Sequence, residues 1–356
     1  MAEREPRRTA GGRPMGRREV LRITAVGGLA LSVGGPMVRE LLRQGHLTRV
    51  SETRALLGTL VSLTGIHPRP EEARALVAKG FATMEGLSAV LNRHDPDTAM
   101  ARLNREGRLH PAPPELRAVL ERAEHWHRVS GGAFDPTVAP LLALYERSAR
   151  EGRGVPAAFE IDEARARTGF HRVRLGSGEG VTLAPGTSLT LDGIAKGYVV
   201  DRTVDAMVAE GAHRVLVDAG GDLGSGGDGS VRDPWAVGVQ DPRRLGGSVG
   251  TVRLRGDAVA TSGDYLRSFT EDRSHHHILD PRTGRSPEVV ASATVQAATA
   301  MDADALSTAL MVLGPGEGLA LVAGSPGAEA LVVDKDGRRH ASPGWSDASA
   351  GTARAT

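Results

Sequence analysis

The chain of 356 residues contains no cysteine. That excludes disulfides, thiolate nucleophiles, iron–sulfur ligation, cysteine-ligated zinc and the lipid-anchoring cysteine of a lipoprotein leader. Aromatic residues make up only 3%, so the core must be built from Leu, Val and Ala. Lysine is almost absent, and Lys79, Lys196 and Lys335 therefore stand out as positions to examine. No uninterrupted run approaches the roughly 18–20 apolar residues of a membrane span. After residue 45 no basic stripe with interleaved aromatics appears, so nothing supports nucleic-acid binding.

The net charge of +1 is unevenly spread: residues 1–45 carry nine Arg and four acidic residues, leaving a mildly acidic body. Gly16-Arg17-Arg18-Glu19-Val20-Leu21-Arg22 precedes an uncharged run, Ile23 to Val38, broken by glycines and Pro36. A paired arginine before a short hydrophobic stretch resembles a twin-arginine export signal, with a plain basic tail as the alternative. The expectation is an exported, periplasmic or extracytoplasmic protein. No small-x-small cleavage site stands out, so the leader is also a candidate weak membrane tether.

Three regions follow: a leader over 1–45, one main domain over 46–340, and a polar, small-residue tail over 341–356 expected to be disordered. Leu57 to Leu63 alternates and reads as a strand. Helical spacing runs over Glu71–Leu91, Pro113–Val129, Leu141–Arg150, Ala195–Glu210 and Met301–Leu313, the last ended by Gly314 and Pro315. Thr187–Leu191, Arg214–Asp218, Trp235–Val239, Val249–Leu254 and Ala330–Val333 read as strands. Without a regular βαβ rhythm the fold class is α+β: a single main domain of mixed sheets and packed helices.

Three segments carry chemistry. Leu191-Asp192-Gly193-Ile194-Ala195-Lys196-Gly197-Tyr198 is a glycine-containing turn into a helix, where exposed N–H groups and Lys196 suit a phosphate; an ordinary turn remains open. Asp304 and Thr308 are four apart in Asp302-Ala303-Asp304-Ala305-Leu306-Ser307-Thr308, so they share one helix face. There they offer hard oxygen ligands for Mg²⁺, the alternative being helix-capping work by Asp302 or Asp304. In Ser274-His275-His276-His277-Ile278-Leu279-Asp280-Pro281 the three adjacent imidazoles cannot converge on one metal from an extended chain. A single His near Asp280 suits acid–base or orienting work, and a solvated strand end stays open.

Taken in order, these segments resemble the ApbE family of FAD:protein FMN transferases. The likeness runs from about Leu57 to Val333. It includes Leu57-Gly58-Thr59, Thr98 to Asn104, GAFDPTVAP (Gly132–Pro140), DGIAKGY (Asp192–Tyr198) and Asp201. Downstream come Gly220-Gly221-Asp222, TSGDY (Thr261–Tyr265), HILDPRTG (His277–Gly284) and ADALST (Ala303–Thr308). The resemblance implies Mg²⁺ held by Asp304, Thr308 and the backbone carbonyl of Ala195. It implies FAD, as substrate, bound against Asp192, Gly193, Ala195, Lys196, Gly197, Thr261, Ser262, Gly263 and His277. His277, Asp280 and Lys196 are the implied catalytic residues. The implied partner is an acceptor flavoprotein with a Ser/Thr-Gly-Ala-Thr/Ser-like segment, which this chain lacks. Where the family often has an aromatic against the flavin, this chain has His94. A pyrophosphatase releasing FMN and AMP, and a non-catalytic flavin-binding or delivery protein, are the alternatives.

Overall fold

The computed structural model describes residues 47–347 apart from 177, 178 and 245, so the leader lies outside the described residues. The chain opens with a hairpin of β1 (Thr48–Leu56) and β2 (Thr59–His67). Leu57 and Gly58 form its two-residue turn with φ of 54° and 71°, the left-handed pair that matches strand twist. The predicted strand from Leu57 thus begins two residues later, and its polar partner β1 was not anticipated.

Helix α1 (Pro70–Leu91) starts on Pro70, whose missing N–H costs nothing in a first turn. Helix α2 (Ala99–Glu106) is capped by the Thr98 side chain and ends on Gly107. Short β3 (Arg108–Leu109), α3 (Pro114–Val129), α4 (Ala139–Arg150) and α5 (Ala158–Arg165) follow. Then come β4 (Val173–Leu175), β5 (Val181–Leu183), α6 (Ala195–Ala209), β6 (Arg214–Ala219), β7 (Asp222–Gly226) and α7 (Asp228–Arg232). The chain continues through β8 (Trp235–Gln240), β9 (Ser248–Leu254), β10 (Ala258–Gly263), β11 (Val290–Ala297), α8 (Ala300–Ala323), β12 (Glu329–Asp334) and β13 (Arg339–Ala341).

Eight strands form one sheet in the order β1-β2-β6-β7-β10-β11-β12-β13, with antiparallel ladders throughout. Both faces of the inner strands are buried, and period-two alternation divides them. Val215 and Val217 of β6 and Val332 of β12 point into the core shared with α1, α6 and α8. Leu216, Leu331 and Val333 point into a second core closed by the β8–β9 hairpin, with Trp235, Val237 and Val252. A third cluster joins α4 and α5 to Leu279, whose neighbours carry the histidine segment.

Three expectations change. Thr187–Leu191 is not a strand: the Asn104 side chain donates to the Leu189 carbonyl at 2.9 Å and accepts from its N–H at 2.7 Å. Thr190 N–H goes to the Pro136 carbonyl, so the segment's backbone is satisfied without a ladder partner. The start of the supposed tail is packed: Trp345 lies against the second core, and the Asp347 carboxylate accepts from Thr251 N–H at 3.0 Å. Finally, α8 extends to Ala323 and is apolar and long enough by composition to cross a bilayer. It is broken at Gly314, with φ 77° and ψ 179°, the position at which the sequence ends the helix, and its first half packs on the sheet.

Candidate active site

The turn before α6 and the first turns of α8 meet at a contact only glycine permits. A Cβ on Gly197 would lie 2.2 Å from the Ala300 carbonyl oxygen, so any larger residue would push the helices apart. Asp201, one turn further along α6, accepts from Ala300 N–H at 2.7 Å and Met301 N–H at 2.9 Å. The cap of α8 is Thr299, accepting from Asp302 N–H, which removes the capping alternative for Asp302 and Asp304. Asp302 pairs with Arg122 and accepts from Trp126 Nε1 at 2.9 Å, tying α8 to α3.

Asp304 is buried and accepts from Gly197 N–H at 3.2 Å. The N-terminus of α6 therefore holds a carboxylate of this protein. Thr308, one turn on, has its hydroxyl 3.3 Å from that of Ser262, and Ser262 is 2.8 Å from Ser307. Gly193 leaves room here, since a Cβ on it would meet the Thr308 hydroxyl at 2.7 Å.

Asp222 follows the β6–β7 turn, in which Gly220 and Gly221 take φ of 69° and 111°, conformations costly for other residues. Its Oδ2 lies 3.2 Å from Lys196 Nζ, an ion pair outside hydrogen-bond geometry. Asp222 and Asp304 contact each other at the buried end of the site. Burial, reinforced by Asp222, raises the Asp304 pKa well above the carboxylate range. Burial opposes the charge on Lys196, but Asp222 and Asp304 outweigh it and raise its pKa, so the ammonium persists.

These groups open into a cleft of about 780 Å³, its mouth included, lined also by Phe134, Asp192, Thr261, Leu266 and His277. Thr261 is fixed by Thr294 at 2.9 Å. Asp192 at the mouth accepts from both arms of Arg93, which hold its carboxyl below its usual range although burial opposes ionisation. The three histidines diverge, as the extended-chain argument requires. His275 stacks on Tyr145, His276 is fully buried, and His277 lines the cleft. The Arg267 carbonyl lies 3.1 Å from His277 Nδ1. A carbonyl only accepts, so Nδ1 carries the proton and Nε2 keeps its lone pair. Burial lowers the His277 pKa, leaving a neutral ring at pH 7.

Lys196, Asp192, Gly193, Thr261, Ser262, His277, Asp304 and Thr308 thus share one cleft, with Ala195 and Gly197 in the turn beneath. Asp280 is different. Its carboxylate is engaged by Arg282 through the backbone N–H and the guanidinium, each at 2.9 Å. It stitches its own turn, between Leu279 and Pro281 of the cleft lining. Gly263 also lies outside the lining; a Cβ there would meet the Tyr265 ring at 2.3 Å. His94 is exposed. Asp222 and Arg93 were not singled out from the sequence as site residues: the first is visible only as the end of a Gly-Gly turn, and the second pairs with a residue 99 positions away.

The chain belongs to the ApbE family, which matches residues 57–332. The FAD:protein FMN transferase of Treponema pallidum is 34% identical over 330 residues, covering 85% of this chain and 90% of that protein. The protein of the same name from Escherichia coli K12 is 31% identical, covering 76% and 80%. Among solved structures, the ApbE protein of Thermotoga maritima is 32% identical, with a TM-score of 0.74 over 83% of this chain and 97% of that one. The flavin transferase ApbE of Vibrio cholerae is 26% identical, with a TM-score of 0.71 over 83% and 98%.

Proposed function

We propose that this chain is a magnesium-dependent FAD:protein FMN transferase, moving FMN from FAD onto a threonine or serine hydroxyl of an acceptor protein and releasing AMP. The Treponema pallidum and Escherichia coli relatives named above are FAD:protein FMN transferases, and this chain is a transferase. The observation that carries the finer reading is the charge imbalance at the buried end of the cleft, where Asp222 and Asp304 face a single lysine. Two buried carboxyls beside one ammonium cannot both ionise cheaply, so burial and the Asp222 charge hold Asp304 in its protonated form, a penalty on the second negative charge. An added cation relieves it. The Asp304 carboxylate, the Thr308 hydroxyl and the Ala195 carbonyl are hard oxygen donors that would hold Mg²⁺, and Asp222 Oδ2 is one more buried oxygen without a hydrogen bond. When bound, Mg²⁺ supplies Lewis acidity and charge neutralisation beside the substrate pyrophosphate.

The chain's own residues then position and neutralise, which is most of what phosphoryl transfer asks of a protein. The acceptor hydroxyl oxygen bonds to the FMN-side phosphorus as the bond to the AMP-side bridging oxygen breaks, and AMP leaves with that electron pair. Lys196, kept charged by its carboxylate neighbours, stabilises negative charge on the pyrophosphate. His277, neutral and with its free Nε2 in the cleft wall, takes the hydroxyl proton. Asp192, Gly193, Thr261 and Ser262 line the space for FAD. The acceptor is another protein with a Ser/Thr-Gly-Ala-Thr/Ser-like segment, and the Arg17-Arg18 leader supports an export route and a weak membrane tether.

The test is to incubate the protein with FAD, Mg²⁺ and a protein carrying a Ser/Thr-Gly-Ala-Thr segment, reading in-gel flavin fluorescence and intact mass. A gain of one FMN that requires Mg²⁺ is the expected result. Release of FMN and AMP without an adduct would make the chain a pyrophosphatase; FAD bound and left whole would make it a flavin-binding protein.

A further inference from the structure

The segment that carries His277 contains no regular strand or helix between Asp264 and Ser286, only isolated bridges at Ser268–His276 and Asp280–Arg285. Its hold on the domain must come from side chains. One such hold leads straight to the histidine. The Arg267 backbone carbonyl accepts from His277 N–H at 3.0 Å and from His277 Nδ1 at 3.1 Å. The side chain of the same Arg267 donates to Glu146 Oε1 at 2.6 Å.

Glu146 is a fixed post. It sits on α4, whose Leu141, Leu142, Leu144 and Tyr145 are buried in the third core cluster. The neighbouring Tyr145 ring stacks on Phe269, two residues beyond Arg267. On its other side, Glu146 Oε1 lies 3.8 Å from Arg93 Nη2, the arginine that grips Asp192. The Glu146 and Arg93 side chains are 20% and 17% exposed and that of Arg267 is 45% exposed, so the brace runs from a part-buried post to a guanidinium open to solvent and screened by salt.

We propose that Glu146 and Arg267 are positioning residues for His277, fixing its ring and tautomer through the Arg267 carbonyl; the proposal deepens the transferase reading above and rests on it. Neither residue touches the reacting atoms. Glu146 fixes the Arg267 side chain, that anchors the backbone at 267, and the carbonyl keeps the proton on Nδ1. A carbonyl displaced by an ångström would release the ring to turn and to exchange tautomers, which removes the lone pair from the cleft. Near a reaction centre, errors of that size cost large factors in rate.

The test compares Glu146→Gln, Arg267→Met and Arg267→Lys in the full chain, with FAD, Mg²⁺ and a Ser/Thr-Gly-Ala-Thr acceptor. Thermal melting checks folding. The expected result is a fall in kcat of roughly ten- to a hundredfold for E146Q and R267M, with KM for FAD within about twofold of the parent. R267K, which keeps the charge, recovers most of the loss. In a His277→Ala background neither E146Q nor R267M lowers kcat further, because the group they position is gone. Parent-level kcat in both E146Q and R267M, or undiminished losses in the H277A background, would overturn the proposal while leaving the transferase intact. If the parent protein cleaves FAD without forming an adduct, the same comparison is made on FMN and AMP release and decides the proposal there. If the parent protein neither transfers nor cleaves, the transferase reading falls and this proposal with it.

Discussion

The cleft is built by two regions that owe their shape to different physics. The helix-built part, α6 against α8, is jammed together at Gly197 and Ala300 and places Asp304 and Thr308 by close packing. The loop-built part, residues 264–286, is irregular and is held by charge pairs: Arg243 to Asp264, Arg267 to Glu146, Arg282 to Asp280. Packing is steep and short-ranged, so the first region has one geometry or none. Ion pairs near a surface are softer and screened by salt. The groups assigned to the metal sit on the stiff part, and the group assigned to proton transfer sits on the soft part.

The comparison breaks most sharply at Asp304. Asp304→Ala is expected to lower Mg²⁺-dependent FAD turnover by roughly a thousandfold, the scale of several kcal/mol of lost charge stabilisation. The melting temperature should hold or rise, because a buried carboxylate has gone; turnover near the parent rate would sink the metal-site assignment.

The loop-built part is the one that acid should loosen. Burial depresses the His276 pKa to about 4, against about 6.5 in an unfolded chain. Between those values the unfolded state binds the proton and the folded state does not. Stability therefore falls as pH drops from 6.5 towards 4, by about 3 kcal/mol from this residue at the lower end. Urea unfolding at several pH values should show the decline in the parent and a shallower one in His276→Leu. Parallel pH dependence in the two proteins would refute it.

Gly197→Ala tests the stiff part. A Cβ has no room beside the Ala300 backbone, so the cost should be about 1–3 kcal/mol of stability by denaturant unfolding, with weakened Mg²⁺ binding by calorimetry. The smallest effect belongs to Asp280→Asn. Its pair with Arg282 is partly solvent-exposed, and a change of about 1 kcal/mol or less is expected, with turnover within about threefold of the parent. A loss as large as that of His277→Ala would keep Asp280 in the catalytic set.

Much of the stiff part is legible in the sequence. Helical spacing marks α1, α6 and the first half of α8 to within a residue or two, and Asp304 with Thr308 stands out because four residues make one turn. The strands were harder to read. β7 is Asp-Leu-Gly-Ser-Gly and β11 is Val-Ala-Ser-Ala-Thr-Val-Gln-Ala; both are small-residue strands buried on two faces, so neither alternates in polarity. β1 is a polar edge that reads as loop. The soft part is least legible of all. Glu146 and Arg267 are 121 residues apart, and nothing local announces that a glutamate on one helix braces an arginine in a distant loop. Asp280 is the complementary case: its neighbour Arg282 satisfies it within its own turn, a contact that residues two apart make visible locally.

The amide of Asn104, standing in for a strand beside Leu189, has a consequence for how this protein can change over generations. A ladder ties many residues to one register, so an inserted residue slips everything that follows. Here the ties are few and separate: the Asn104 amide at Leu189, the Pro136 carbonyl at Thr190, and Arg172 at the Thr187 hydroxyl. The β4–β5 hairpin upstream can gain or lose residues, and the shift is absorbed before Leu189, leaving Asp192, Gly193 and Lys196 where they were. The stretch leading into the site is thus free to drift in length, while the asparagine that pins it is not free to drift in kind.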